Sequence, residues 1–99
     1  MSVKGQLIAC RDALMAGMRA TSRVAVPNEK IVKLLRACLD LVEHLSGQSM
    51  AVTTTEVETT LGVLEQAYAE LESEPGPATV ALKNAIGRLR ALRLEIEAK

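Results

Sequence analysis

The stretch Val57-Glu58-Thr59-Thr60-Leu61-Gly62-Val63-Leu64-Glu65-Gln66-Ala67-Tyr68-Ala69-Glu70-Leu71, closed by Glu72-Ser73-Glu74-Pro75-Gly76-Pro77, decides the fold class. Val57, Leu61, Leu64, Tyr68 and Leu71 recur at steps of 4, 3, 4 and 3, which is heptad spacing on one face of an α-helix and not the alternation of a strand. Pro75-Gly76-Pro77 is a turn that neither a helix nor a strand continues through. At the other end, Thr53-Thr54-Thr55-Glu56 and Thr55-Glu56-Val57-Glu58 each read as a capping box. The spacing predicts a helix over 54–73 and a reversal after it.

The flanking segments repeat the pattern. Val3, Leu7, Cys10, Leu14 and Met18, widened by Ile8 and Met15, predict a helix over 3–25, weakened at its centre by Gly17 and ended before Pro27. Ile31, Leu35, Cys38, Val42 and Leu45, with Leu34, Leu39 and Leu41 extending the stripe, predict a helix over 28–46. Asn28 is its expected N-cap and Gly47 its C-terminal stop. Its wide apolar face marks it as the central helix. Leu82, Ile86, Leu89, Leu92 or Arg93, and Ile96 predict a fourth helix over 78–97, opened by Pro77 or Ala78. Short connectors between helices of matched length favour antiparallel neighbours. The expected fold is all-α, an antiparallel up-down four-helix bundle of one domain over 1–99. A rival arrangement makes the last two helices a dimerising hairpin. Pivoting near Pro75 sets Leu71 beside Val80 or Leu82, Tyr68 beside Leu82 or Ala85 and Leu64 beside Ile86 or Leu89. Gly62 and Gly87 then fall on facing turns. Charge agrees, since 54–74 carries six Glu and no Lys or Arg, whereas the last helix carries Lys83, Arg88, Arg90 and Arg93.

Composition narrows the function classes. Of 99 residues 48% are hydrophobic, yet Tyr68 is the one aromatic, so the core is built from aliphatic side chains. Twelve basic residues balance twelve acidic ones, which removes a global field that draws a chain to DNA or anionic membranes. No apolar run approaches the ~18 residues of a membrane span. Leu7-Ile8-Ala9-Cys10 resembles a lipoprotein cleavage box, but Met1 to Gln6 is shorter than the ~7–15-residue apolar run a signal peptide places there. The expected location is the cytoplasm, where Cys10 and Cys38 serve as small buried hydrophobes.

The chemistry-bearing residues are few. Glu43-His44-Leu45-Ser46-Gly47-Gln48 resembles the phosphoacceptor segment of histidine phosphotransfer domains, themselves small four-helix bundles. That resemblance implies His44 as phosphoacceptor, although Gly47 and Gln48 stand where the family has Lys and Gly. The residues by themselves give a helix-end His beside Asp40, one turn back. Asp40 and His44 fall short of a metal site of three or four ligands, and no phosphate loop or nucleophile motif is present. Arg11, Arg19 and Arg23 on the first helix, and Arg88, Arg90 and Arg93 on the fourth, form two basic stripes, the basis of an alternative as a nucleic-acid-binding regulator. No cofactor is implied.

Partner recognition is the leading expectation. Leu34, Leu39, Met15, Met18, Val63 and Leu94 fit no single bundle stripe and, with Arg88, Arg90 and Arg93, are the candidate partner-binding residues. Small cores gain stability by association. The sequence therefore points to a non-enzymatic interaction module, an adaptor, chaperone or inhibitor, acting through helical surfaces as a homodimer on a protein partner, without nucleic acid or membrane.

Overall fold

In the computed structural model, which describes residues 3–23, 29–47, 52–72 and 76–97, each apolar stripe becomes the inner face of a helix. The elements are α1 (Val3–Ser22), α2 (Glu29–Gly47), α3 (Thr54–Leu71) and α4 (Pro77–Glu97). They form the expected up-down bundle, 46 × 21 × 18 Å. Leu7, Leu14, Leu35, Leu45, Leu64, Leu82, Leu89 and Leu92 are wholly buried and meet along its axis. No helix is long and apolar enough to cross a membrane among the described residues.

Local chemistry sets the ends. Thr53 caps α3 in an extended conformation, its Oγ1 accepting from the Glu56 amide at 3.3 Å and donating to Glu56 Oε1 at 3.2 Å. The second expected box is not formed, because Thr55 is already inside the helix. Pro77 opens α4, where its fixed φ suits the first turn and its missing N–H is no loss. Gly47 closes α2 without a positive φ, so the helix does not end in the left-handed glycine cap that the sequence suggests. Asn28, the expected cap of α2, lies outside the described residues.

The seams are unequal. That between α1 and α4 is the most extensive, and α4 also packs along α3. The α3–α4 hairpin is therefore part of the bundle and does not protrude. The most covered position belongs to α4, not to α2. Small residues are the cause: Ala78, Ala81 and Ala85 are all buried on α4, and Cys10 Sγ reaches the Ala85 carbonyl at 3.5 Å. Opposite them stands Gly17, where a Cβ would overlap that of Ala81. Gly17 is thus a point of close helix approach and not merely a weak spot in α1. Gly62 and Gly87 do the reverse of what the hairpin suggests. Both are exposed with nothing within 4 Å of a Cβ, so they face outward and not each other.

The register of the hairpin is antiparallel, with Thr79 Oγ1 donating to the Leu71 carbonyl at 3.4 Å and Arg90 lying 3.8 Å from Glu65. Leu82 is the residue that turns into the core at this end. Val80, the other expected neighbour of Leu71, is 59% exposed.

Candidate protein-binding surface

The expected partner-binding residues divide into three groups. Leu39 is buried in the core, and Met15 and Met18 are half-buried against it, so these three serve the fold. Leu34 and Val63 come together across the α2–α3 seam, the thinnest in the ring of helices. There Ala37 and Ala67 are too small to fill the space, and a cleft of about 110 Å³ remains, with Cys38 in its wall and Gln66 and Glu70 at its lip.

The third group lies on α4. Leu94 is 62% exposed and Arg88 and Arg90 are exposed, but Arg93 is half-buried with its Nε turned away from solvent. The three arginines form no single stripe, since Arg88 and Arg90, two apart, point to nearly opposite sides of the helix, and Arg93, on the side of Arg90, is half-buried. What α4 presents outward is a row the sequence reading missed: Val80, Asn84, Gly87, Ala91 and Leu94, at steps of 4, 3, 4 and 3. All are exposed except the half-buried Ala91, and none is charged. Val80 and Leu94 are the two most exposed large hydrophobic side chains described, and they stand at the two ends of this row. Lys83 and Arg90, followed in the last turn by Glu97, flank it on the side of α3, and Arg88 with the half-buried Glu95 on the side of α1.

Between α3 and α4 the same face opens into a groove of about 440 Å³ lined by Glu65, Tyr68, Lys83, Ile86, Gly87 and Arg90. Tyr68 is half-buried, its ring packed on the core and not enclosed by it. The exposed outer surface of α3 carries Thr55, Thr59, Gly62, Gln66 and Ala69, bordered by Glu58, Glu65 and Glu72. An uncharged row flanked mainly by cations thus stands beside a small-residue row flanked by carboxylates.

The other chemistry-bearing residues stay apart. His44 and Asp40 are both exposed on α2, with no hydrogen bond between them among the described residues. No group of three or more His, Cys, Asp or Glu gathers to hold a metal among the described residues. Arg11 is half-buried and lies 3.5 Å from Asp12, while Arg19 and Arg23 are exposed. Cys10 and Cys38 are free and buried. Burial pushes the Cys10 thiol up to about 12, with the neighbouring Cys38 adding to the rise, and burial pushes Cys38 to about 11. Both are protonated, unreactive thiols at neutral pH. No family model matches the chain, and neither a curated protein nor a solved structure matches it.

Proposed function

We propose that the chain is a non-enzymatic protein-binding module of the adaptor, chaperone or inhibitor kind, and that it works through the outward face of α3 and α4. The observation that carries this reading is the alignment of Val80 and Leu94, 59% and 62% exposed, on one uncharged helical row. Single exposed apolar residues are ordinary on protein surfaces. Two of them on one helix face, with Asn84, Gly87 and Ala91 between, make a seam of the kind that helices use to recognise helices. Fully burying each is worth ~1.5–3 kcal/mol before ordering costs. Lys83, Arg88 and Arg90 border the seam, so the complementary occupant is an amphipathic helix with acidic flanks.

The test is a titration of the isotopically labelled chain with two synthetic helical peptides sharing an apolar heptad seam, one flanked by Glu and one by Lys. The expected result is amide shifts clustered at Val80, Gly87 and Leu94 for the Glu-flanked peptide, with affinity falling as salt rises. Equal binding of both peptides, or shifts scattered over the molecule, refutes the reading.

A further inference from the structure

We infer that the occupant this face fits is a second copy of the chain, docked about a two-fold axis parallel to the helices so that α4 of each copy covers α3 of the other. The inference rests on the protein-binding reading of the α3–α4 face and adds the identity and register of the partner.

The charges make the argument. On the flank of α3 that borders the groove, Glu58, Glu65 and Glu72 recur every seven residues, all acidic, and Glu65 and Glu72 are exposed alongside Glu58. On the matching flank of α4, Lys83 and Arg90 recur at the same interval and are exposed, and the row ends on an exposed Glu97 in the last turn, so it is basic at two of its three places. A face holding one acidic and one mainly basic row side by side is self-complementary when a copy is rotated so that the rows exchange places. Like rows, by contrast, repel.

The register follows from contacts within one chain. Arg90 beside Glu65 and Thr79 beside Leu71 set the heights of the two antiparallel helices against each other. An axis parallel to the helices leaves heights unchanged. Lys83 then meets Glu72 of the partner subunit, and Arg90, already 3.8 Å from its own Glu65, meets Glu65 of the partner subunit, closing a ring of four charges at the axis. Gly62 comes level with Ala91 of the partner subunit and Gly87 with Gln66 of the partner subunit. Both glycines have open space where a Cβ would stand, so the backbones can approach. Leu94 comes to lie over Thr59 of the partner subunit, which removes its exposed surface from water.

One rival pairing brings the same apolar residues together. Two α4 helices crossing antiparallel at Gly87 match Val80 with Leu94 of the partner subunit, but set Lys83 against Arg90 of the partner subunit on both sides of the crossing. The α4-on-α3 pairing also sets Glu97 level with Glu58 of the partner subunit, one like pair at the end of the row against two opposite pairs, so charge still selects α4 on α3. Exposed ion pairs add little affinity, and here their part is to choose the partner and the register, while Leu94 supplies apolar burial.

Sedimentation equilibrium on the full chain tests this. The mass is expected to rise from 10.6 kDa towards twice that value with concentration. Leu94→Asp, at a position open to solvent and so harmless to the fold, is expected to weaken the dimer by about tenfold or more. Lys83→Glu and Glu72→Lys are each expected to weaken it, and the two together to restore it. Circular dichroism verifies that each variant remains helical. A mass that stays at 10.6 kDa up to about 1 mM overturns the inference. So does a dimer indifferent to Leu94→Asp, or a charge exchange that fails to restore association. A monomer that still takes the Glu-flanked peptide overturns the second copy alone; a monomer that takes neither peptide overturns the protein-binding reading as well.

Discussion

Gly17→Ala sets helix propensity against packing, and the two predict opposite signs. In a helix interior Ala is favoured over Gly by ~0.8–1.0 kcal/mol, so propensity alone says that the substitution stabilises α1. The new Cβ, however, would overlap Ala81 Cβ and stand 3.6 Å from the Pro77 carbonyl oxygen and 3.8 Å from Ala81 Cα. Ala81 cannot swing aside, because its Cβ is fixed to the backbone of α4. The two helices must part by about 1 Å or more to reach ordinary carbon–carbon separations, along the most extensive seam of the bundle. Overpacking of this kind costs about 1–3 kcal/mol. The net change runs from near zero to a loss of about 2 kcal/mol, and each kcal/mol moves the melting temperature of a domain this small by about 4–8 °C. Gly62→Ala is the reference: it lies mid-helix in open space and is expected to stabilise by ~0.5–1 kcal/mol. Urea unfolding followed by circular dichroism in dilute solution measures both. The difference of about 1–3 kcal/mol between them is the packing term itself. In an Ala81→Gly background the overlap is gone, and Gly17→Ala should become favourable by ~1 kcal/mol. A Gly17→Ala protein as much stabilised as Gly62→Ala, or one equally harmed in both backgrounds, refutes the reasoning.

Three further outcomes follow from the same structure. Leu64→Ala removes a side chain with no exposed surface from the middle of α3 and is expected to cost ~2–5 kcal/mol by denaturant unfolding, whereas a change within ±0.5 kcal/mol belongs to a surface position. Thr53→Ala deletes the cap that holds the Glu56 amide and is expected to cost ~1 kcal/mol, read as a lower melting temperature with unchanged helix content. The folded thiols hold their protons more tightly than unfolded ones, whose ordinary value is 9.0. Their contribution to stability is therefore whole below pH 9 and declines as pH rises towards 11 and 12, at up to about 1.4 kcal/mol per pH unit for each thiol. The double variant Cys10→Ala with Cys38→Ala should show a flatter alkaline decline; an identical pH profile counts against burial as its cause.

The interior of this bundle is written openly in the sequence. Leu7, Cys10 and Leu14, or Leu35, Cys38 and Val42, repeat with the helical period because a helix has only one way to turn them all inward. The glycines are different. A sequence shows that Gly17, Gly62 and Gly87 each lower helix propensity, but what stands opposite a missing side chain depends on helix crossing points that no single helix determines. Gly17 proved to be the close approach, met by Ala81, while Gly62 and Gly87 point to open space. The candidate surface was legible in part for a related reason. Leu94, Val63 and Leu34 fit no single bundle stripe, and neither do Leu39 and the Met15/Met18 pair. The latter three were absorbed by a core wider than a single stripe per helix.

Val80 reads from the sequence as a neighbour of Leu71 and not as a surface residue, because α4 carries two largely apolar rows. Ala78, Leu82, Ala85, Leu89 and Leu92 line its buried side, and Val80, Gly87, Ala91 and Leu94 its outer side. Residues on opposite faces cancel in any measure of amphipathicity, so the helix looks only weakly sided when read as a sequence. Leu71 had two candidate neighbours, Val80 and Leu82, two positions apart and so on nearly opposite faces; choosing Leu82 as the inward one sends Val80 to solvent. A helix whose second face were merely solvated has no need of two large aliphatic residues fourteen positions apart with no charge on the row between them. On the proposed reading, that second row is the surface a partner helix would cover. In the proposed pairing, Thr59, Gly62 and Gln66 of α3 lie at the heights that would receive it in a second copy. The pattern that made α4 hardest to read from its sequence is thus the same one that directs attention to its outer face.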